Sequence, residues 1–141
     1  MGFSLIAAAA ILGLTLFMAA EIITSEVLPT IEGINDSYGD LRDRIRDQLQ
    51  TDINITVVSR SDNGANYDYN ISLKNTGSVT LDTKDFMILI NGTGYPFTCS
   101  HRYLHPENTV YFRIVDVVGA EAKRIKVISN NGIADYYAYI S

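Results

Sequence analysis

The sequence predicts an α+β protein: a long N-terminal helix, transmembrane at its start and a stalk beyond, followed by an all-β immunoglobulin-like sandwich. Three observations carry this. Residues 2–20 hold no charge. An apolar stripe of helical period then continues to Leu49. Beyond Gln50 the pattern becomes alternating, with β-branched and aromatic runs divided by turn residues. The expected domains are a membrane helix over 1–21, an amphipathic stalk over 22–50 and an extracytoplasmic sandwich over 51–141.

The first segment reads GFSLIAAAAILGLTLFMAA, with Ser4 and Thr15 as its polar members. At about 1.5 Å per residue it just spans a hydrocarbon core of about 30 Å. A secretory signal peptide would need a basic start and a small-residue cleavage site. No Lys or Arg precedes Arg42, and Met18-Ala19-Ala20 runs into Glu21 and further apolar residues. An uncleaved single-pass anchor is therefore expected. A core helix of a soluble protein fits poorly, because the run is apolar on every face. Ala9 and Gly13 stand four apart, a spacing that lets two helices approach closely. Alanine is also common in such segments, and both readings stand. The lack of basic residues leaves orientation weakly specified.

The stalk follows. Val27, Ile31, Ile34, Tyr38, Leu41, Ile45 and Leu49 recur at steps of four and three, close to a heptad seam. Asp36, Asp40, Asp43, Arg44 and Asp47 occupy the other face. Pro29 is expected to kink or divide the helix, and Gly33 and Gly39 to weaken it. Fully helical, residues 21–50 would reach about 45 Å. An exposed helix with one apolar stripe needs a partner: a second copy, another subunit, or the sandwich folded back. A homo- or hetero-oligomer is expected.

In the C-terminal part, Ile53, Ile55 and Val57 alternate with Asn54, Thr56 and Val58, and Tyr67, Tyr69, Ile71 and Leu73 recur at every second position. Further runs cover 86–90, 95–98, 110–115, 124–128 and 133–140. Asp62-Asn63-Gly64, Asn75-Thr76-Gly77, Asn91-Gly92 and Asn130-Asn131-Gly132 read as turns, the last as a tight hairpin. About seven strands in about ninety residues suit an immunoglobulin-like sandwich.

Charge and composition exclude several functions. The net charge of −5 argues against a nucleic-acid partner. Residues 1–50 hold seven acids against three arginines, whereas the remainder is nearly balanced. The single cysteine, Cys99, rules out an intrachain disulfide. Four sequons, at Asn35, Asn54, Asn70 and Asn91, are glycosylation candidates if that part of the chain is translocated. Asn and Thr are frequent here, so chance accounts for some of them.

No catalytic or cofactor pattern is visible. Cys99, His101 and His105 form the best metal candidate, but a zinc site typically draws three or four ligands from two segments, and no second cluster exists. A structural or surface role is expected for them; alternatively, the histidines make a contact pH-sensitive. There is no phosphate loop, no nucleophile elbow and no spaced carboxylate pair. No cofactor, metal or enzymatic activity is expected. Tyr136, Tyr137 and Tyr139 form the most contact-prone patch. Neighbouring strand residues point to opposite faces, so Tyr136 or Tyr137 should be exposed.

Several short motifs, taken in order, resemble a known family. Met1-Gly2-Phe3-Ser4 leads into the small-residue helix. Asp40-Leu41-Arg42-Asp43-Arg44 follows, then Asp52-Ile53-Asn54-Ile55-Thr56, then Asn75-Thr76-Gly77-Ser78-Val79-Thr80-Leu81. Lys126-Val127-Ile128-Ser129-Asn130-Asn131-Gly132-Ile133-Ala134-Asp135 comes near the end. This order resembles the archaellum accessory proteins F and G (the FlaF/FlaG family), F more than G, over essentially the whole chain. The resemblance implies a static component of the archaeal swimming motor, with no catalytic residues. It also implies a membrane anchor, an archaellin-like sandwich outside the cytoplasmic membrane, and binding to the surface-layer protein or a partner accessory protein.

The alternative is a filament subunit, an archaellin or archaeal pilin, whose helix packs in a filament core. Such precursors carry a short basic leader, and no basic residue precedes the helix here. The motor component is therefore the expectation.

Overall fold

The structure, a computed structural model, describes residues 2–140. The helical part comprises α1 (Gly2–Ile22), one π turn (Ile23–Val27) and α2 (Leu28–Gln50). The chain divides into two compact units, the first ending at Asp43 and the second beginning at Arg44. The last turns of α2 thus belong with the β domain.

Pro29 does not divide the helix. A proline has no N–H, and its ring crowds the carbonyl four residues back. Here the π turn lies just before it, and the Leu28 N–H donates to the Ile23 carbonyl, one residue further back than in an α-helix. Hydroxyls serve the carbonyls nearby. Thr24 Oγ1 donates to Ala20 O at 3.0 Å, Ser25 Oγ to Glu21 O at 2.7 Å and Thr30 Oγ1 to Glu26 O at 2.6 Å.

Among the described residues the β domain has ten strands: β1 (Ile53–Asn63), β2 (Asn66–Asn75), β3 (Leu81–Asp82), β4 (Met87–Ile90), β5 (Thr93–Tyr95), β6 (Thr98–Cys99), β7 (Tyr103–Leu104), β8 (Thr109–Val117), β9 (Lys123–Ile128) and β10 (Ala134–Tyr139). They form two four-stranded antiparallel sheets, β1-β2-β8-β6 and β10-β9-β4-β5, and a small β3-β7 pair. The fold is α+β, with a long N-terminal helix before a β-sandwich. Its core holds Tyr69, Ile71, Leu73, Phe112, Ile114, Ile88, Ile125 and Val127, with Leu81 and Leu104 of the small pair. Phe86 stacks on Phe112, and Phe97 meets Phe112 edge-on, with centroids 5.6 and 5.2 Å apart. Each such buried side chain contributes about 1.5–3 kcal/mol of transfer free energy.

Asn91 (φ 49°) and Gly92 (φ 84°) form a two-residue turn with positive φ at both positions, joining β4 to β5. Asn130, Asn131 and Gly132 (φ 81°) join β9 to β10, with Ser129 N–H bonded to Ile133 O.

Two expectations are corrected. Regular alternation placed Val57 inward with Ile53 and Ile55. A β-bulge between Ile55 and Val57 shifts the register, so Val57 is 57% exposed and Val58 takes the core position at 7%. Residues 95–98 are not one strand. Tyr95 ends β5 in one sheet and Thr98 begins β6 in the other. Pro96, which cannot donate to a ladder, lies where the chain changes sheets. The two-residue strands β3 and β7 are too short to show a period.

Candidate functional site

The helical unit buries no side chain among its described residues. Val27, Ile31, Ile34, Tyr38, Leu41, Ile45 and Leu49 are all exposed, as are Ala9 and Gly13. A methyl group added at Gly13, Gly33 or Gly39 would meet nothing. The chain's own packing therefore does not require glycine at these points. Thr15 Oγ1 returns to Ile11 O at 2.8 Å, so this hydroxyl is satisfied within the helix. A helix running from Gly2 to Gln50 contains a stretch long and apolar enough to cross a bilayer.

Where the helix meets the sandwich, two turns grip its end. Ser78 N–H donates to Gln50 O at 2.9 Å, and the Thr76 and Gly77 N–H groups both donate to Asp52 O at 3.0 Å. Thr76 Oγ1 donates to Asp52 Oδ2 at 2.7 Å. Gly77 lies so close that a Cβ there would collide with Gln50 O and Asp52 N. The fully buried Asn75 holds the turn, its Nδ2 donating to Val79 O and Leu104 O at 2.8 and 3.0 Å. From the other side, Asn131 Nδ2 donates to Thr51 Oγ1 at 2.8 Å, and Gln48 Nε2 to Asn131 O at 3.1 Å. Thr51 is itself buried and donates to Asp47 O. Of the last helix carbonyls, Gln50 O thus receives a donor from the sandwich at Ser78, while Thr51 Oγ1 and N–H donate to Asp47 O and Gln48 O. Both loops are legible in the sequence as turns, but not as a clamp on the helix. The small residue at 77, between Asn75-Thr76 and Ser78, was the available signal.

Cys99 is half-buried, and its Sγ donates to the His101 carbonyl. His105 Nδ1 lies 3.1 Å from Thr80 Oγ1, and His101 Nδ1 lies 3.2 Å from Ser100 Oγ. Among the described residues no group of three His, Cys, Asp or Glu side chains could hold a metal ion.

In β10, Tyr136 is exposed, whereas Tyr137 and Tyr139 are half-buried and pack against the core. Tyr139 meets Tyr69 edge-on at 5.5 Å, and the Arg60 guanidinium lies over both Tyr67 and Tyr139. Tyr136 lies under Lys126 and Arg124, with 5.1 and 5.7 Å to its centroid. All four sequon asparagines are exposed. Asn54 and Asn70 lie on strands of the β1-β2-β8-β6 sheet, Asn35 on α2 and Asn91 in the β4–β5 turn. The Asn91 Oδ1 accepts from the Arg124 N–H at 2.8 Å.

One polar network fixes the far end of the sandwich. Arg113 donates to Asp68 Oδ2 at 2.9 Å, and Asn63 Nδ2 and the Asp116 N–H donate to Oδ1. These bonds, Arg113 first, then Asn63, hold the Asp68 carboxyl below the usual carboxylate range. They also secure Asp116 in a left-handed conformation (φ 59°), where β8 is irregular against β2. The ammonium of buried Lys123 donates to Val118 O and to Glu121, whose pKa it lowers.

No protein-family model and no curated protein matches the sequence. Among solved structures, the fold is similar to that of the archaellum periplasmic stator protein FlaG from Sulfolobus acidocaldarius. The TM-score is 0.52 at 18% identity, and the match covers 63% of this chain and 99% of that one.

Proposed function

We propose that the chain is a static, non-enzymatic component of an archaellum motor. In this reading residues 1–21 anchor it in the cell membrane, 22–50 form the stalk, and 51–141 form a sandwich on the extracytoplasmic side. The observation that carries the proposal is the pairing of a wholly exposed apolar helix with a self-contained sandwich, joined by the clamp at Gly77 and Asn131. The likeness in fold to a protein described as an archaellum stator supports it. The order of the motifs favours accessory protein F over G.

The mechanism is mechanical. Torque on a filament needs a fixed counterpart, and a helix in fluid lipid resists no rotation by itself. A sandwich held by the surface-layer lattice or by a partner accessory protein supplies the fixed end, and the clamp carries the load into the helix. The stripe from Val27 to Leu49, with Ala9 and Gly13 below it, packs against a second copy or the partner protein. The sequons at Asn35, Asn54, Asn70 and Asn91 are open to modification on that side.

Truncation after Asp43, before the sandwich unit, tests this. Filaments should still assemble while swimming is lost. Normal swimming by the truncated strain overturns the stator reading; loss of the filaments themselves favours a structural subunit.

A further inference from the structure

The outward faces of the two sheets differ in how their cations are neutralised. On the β1-β2-β8-β6 sheet, Lys74 pairs with Glu107 at 2.7 Å and Arg113 with Asp68 at 2.9 Å. On the other sheet, Arg124 and Lys126 form no ion pair among the described residues. Their outward row alternates with the buried Ile125 and Val127. By register, Lys126 lies between Leu89 and Tyr136, and Ile128 lies beside Met87. No outward position of β4, β9 or β10 holds a carboxylate. Asp135, the acid of β10, accepts from the Ile55 N–H at 2.7 Å, at the edge of the opposite sheet.

We infer that this β4-β9-β10 face docks a protein surface that presents carboxylates around an apolar spot. Charge complementarity identifies the occupant. Two unneutralised cations flank Leu89, Met87 and the 55% exposed Tyr136. A cation-flanked apolar patch of this kind suits a protein interface, in which Tyr and Arg serve as anchors. A sugar is a poorer fit, because Lys126 and Arg124 already lie over the Tyr136 ring that would stack on it. An anionic bilayer is recognised by clusters of about four to eight cations, and this face has two.

The inference rests on the proposed binding to the surface-layer lattice, and its test separates the two. The full chain in nanodiscs is titrated with purified surface-layer protein at rising salt. Wild type should bind, with an affinity that falls as salt screens the attraction. Arg124→Glu with Lys126→Glu should weaken binding by about tenfold or more, and the milder Arg124→Gln with Lys126→Gln by less. Ser72→Glu, on the opposite sheet, should leave binding unchanged. Melting temperatures of all variants confirm folding. Binding that survives the charge reversal overturns the inference and leaves the lattice reading standing. Absence of wild-type binding overturns both. A reversal that instead changes the oligomer mass, or abolishes adhesion to phosphatidylserine vesicles, assigns the face to a second copy or to lipid and overturns it.

Discussion

Leu41 on the helix is 52% exposed, and Leu73 in the sandwich is 0% exposed. The contrast holds along both regions. Every described side chain of α1 and α2 is exposed, whereas the sandwich gathers its apolar side chains into one core. A region that buries its own apolar surface is stable in water by itself. A region that exposes a continuous apolar surface has its stabilising partners elsewhere, in lipid or in another chain. The boundary between these regimes lies inside α2, since its last turns already belong to the sandwich unit.

Equivalent truncations in the two regions should differ most in their effect. Phe112→Ala should cost the β domain about 3–5 kcal/mol in chemical denaturation, because Phe112 is fully buried between Phe86 and Phe97. Leu41→Ala should change that same transition by less than about 0.5 kcal/mol. A comparable loss from both would mean the stripe is part of the domain's own core.

The clamp is the next largest effect. Gly77→Ala forces a methyl against the backbone of Gln50 and Asp52 and should cost about 1–3 kcal/mol. Hydrogen exchange of the last helical turn should rise with it. A neutral Gly77→Ala would mean that the turn and the helix end are not held together.

Tyr69 sharpens the picture of the core. Its hydroxyl is buried and has no hydrogen-bond partner among the described residues. Tyr69→Phe removes that polar atom and should be neutral or stabilising by up to about 1 kcal/mol. A clear loss of stability would reveal a partner for the hydroxyl.

The smallest effect concerns acid. Asp68 has a lowered pKa in the folded state, so it stabilises the sandwich above its unfolded value. That contribution is lost as pH falls through the folded value, below about pH 4. Thermal melts should show this loss in the wild type and a flatter profile in Asp68→Asn. Equal slopes would place the acid sensitivity at other carboxylates.

The sequence made the helix readable, because length, absence of charge and a three-four period are local properties. Asn91-Gly92 and Asn130-Asn131-Gly132 were readable because a positive φ selects those residues. The exchange of Val57 for Val58 was not, because a single-residue bulge leaves no mark in an apolar run. Nor was the division at Pro96, where a run continuous in sequence serves two sheets. Pro29, expected to kink or divide the helix, does not divide it, and the one-residue π offset just before it leaves no mark in the local pattern. The clamp joins residues about 25 and 80 positions apart, a tertiary relation that no local pattern encodes.

The proposed stator role requires the sandwich to stay fixed while a filament turns. A rigidly held fluorophore placed on the sandwich, at Ser72→Cys in a Cys99→Ser background, reads this. Its polarised emission is then followed in immobilised cells whose filaments rotate. A fixed sandwich gives an emission constant in angle relative to the cell body. Emission that oscillates in phase with the filament would contradict it and assign the chain to the rotating structure.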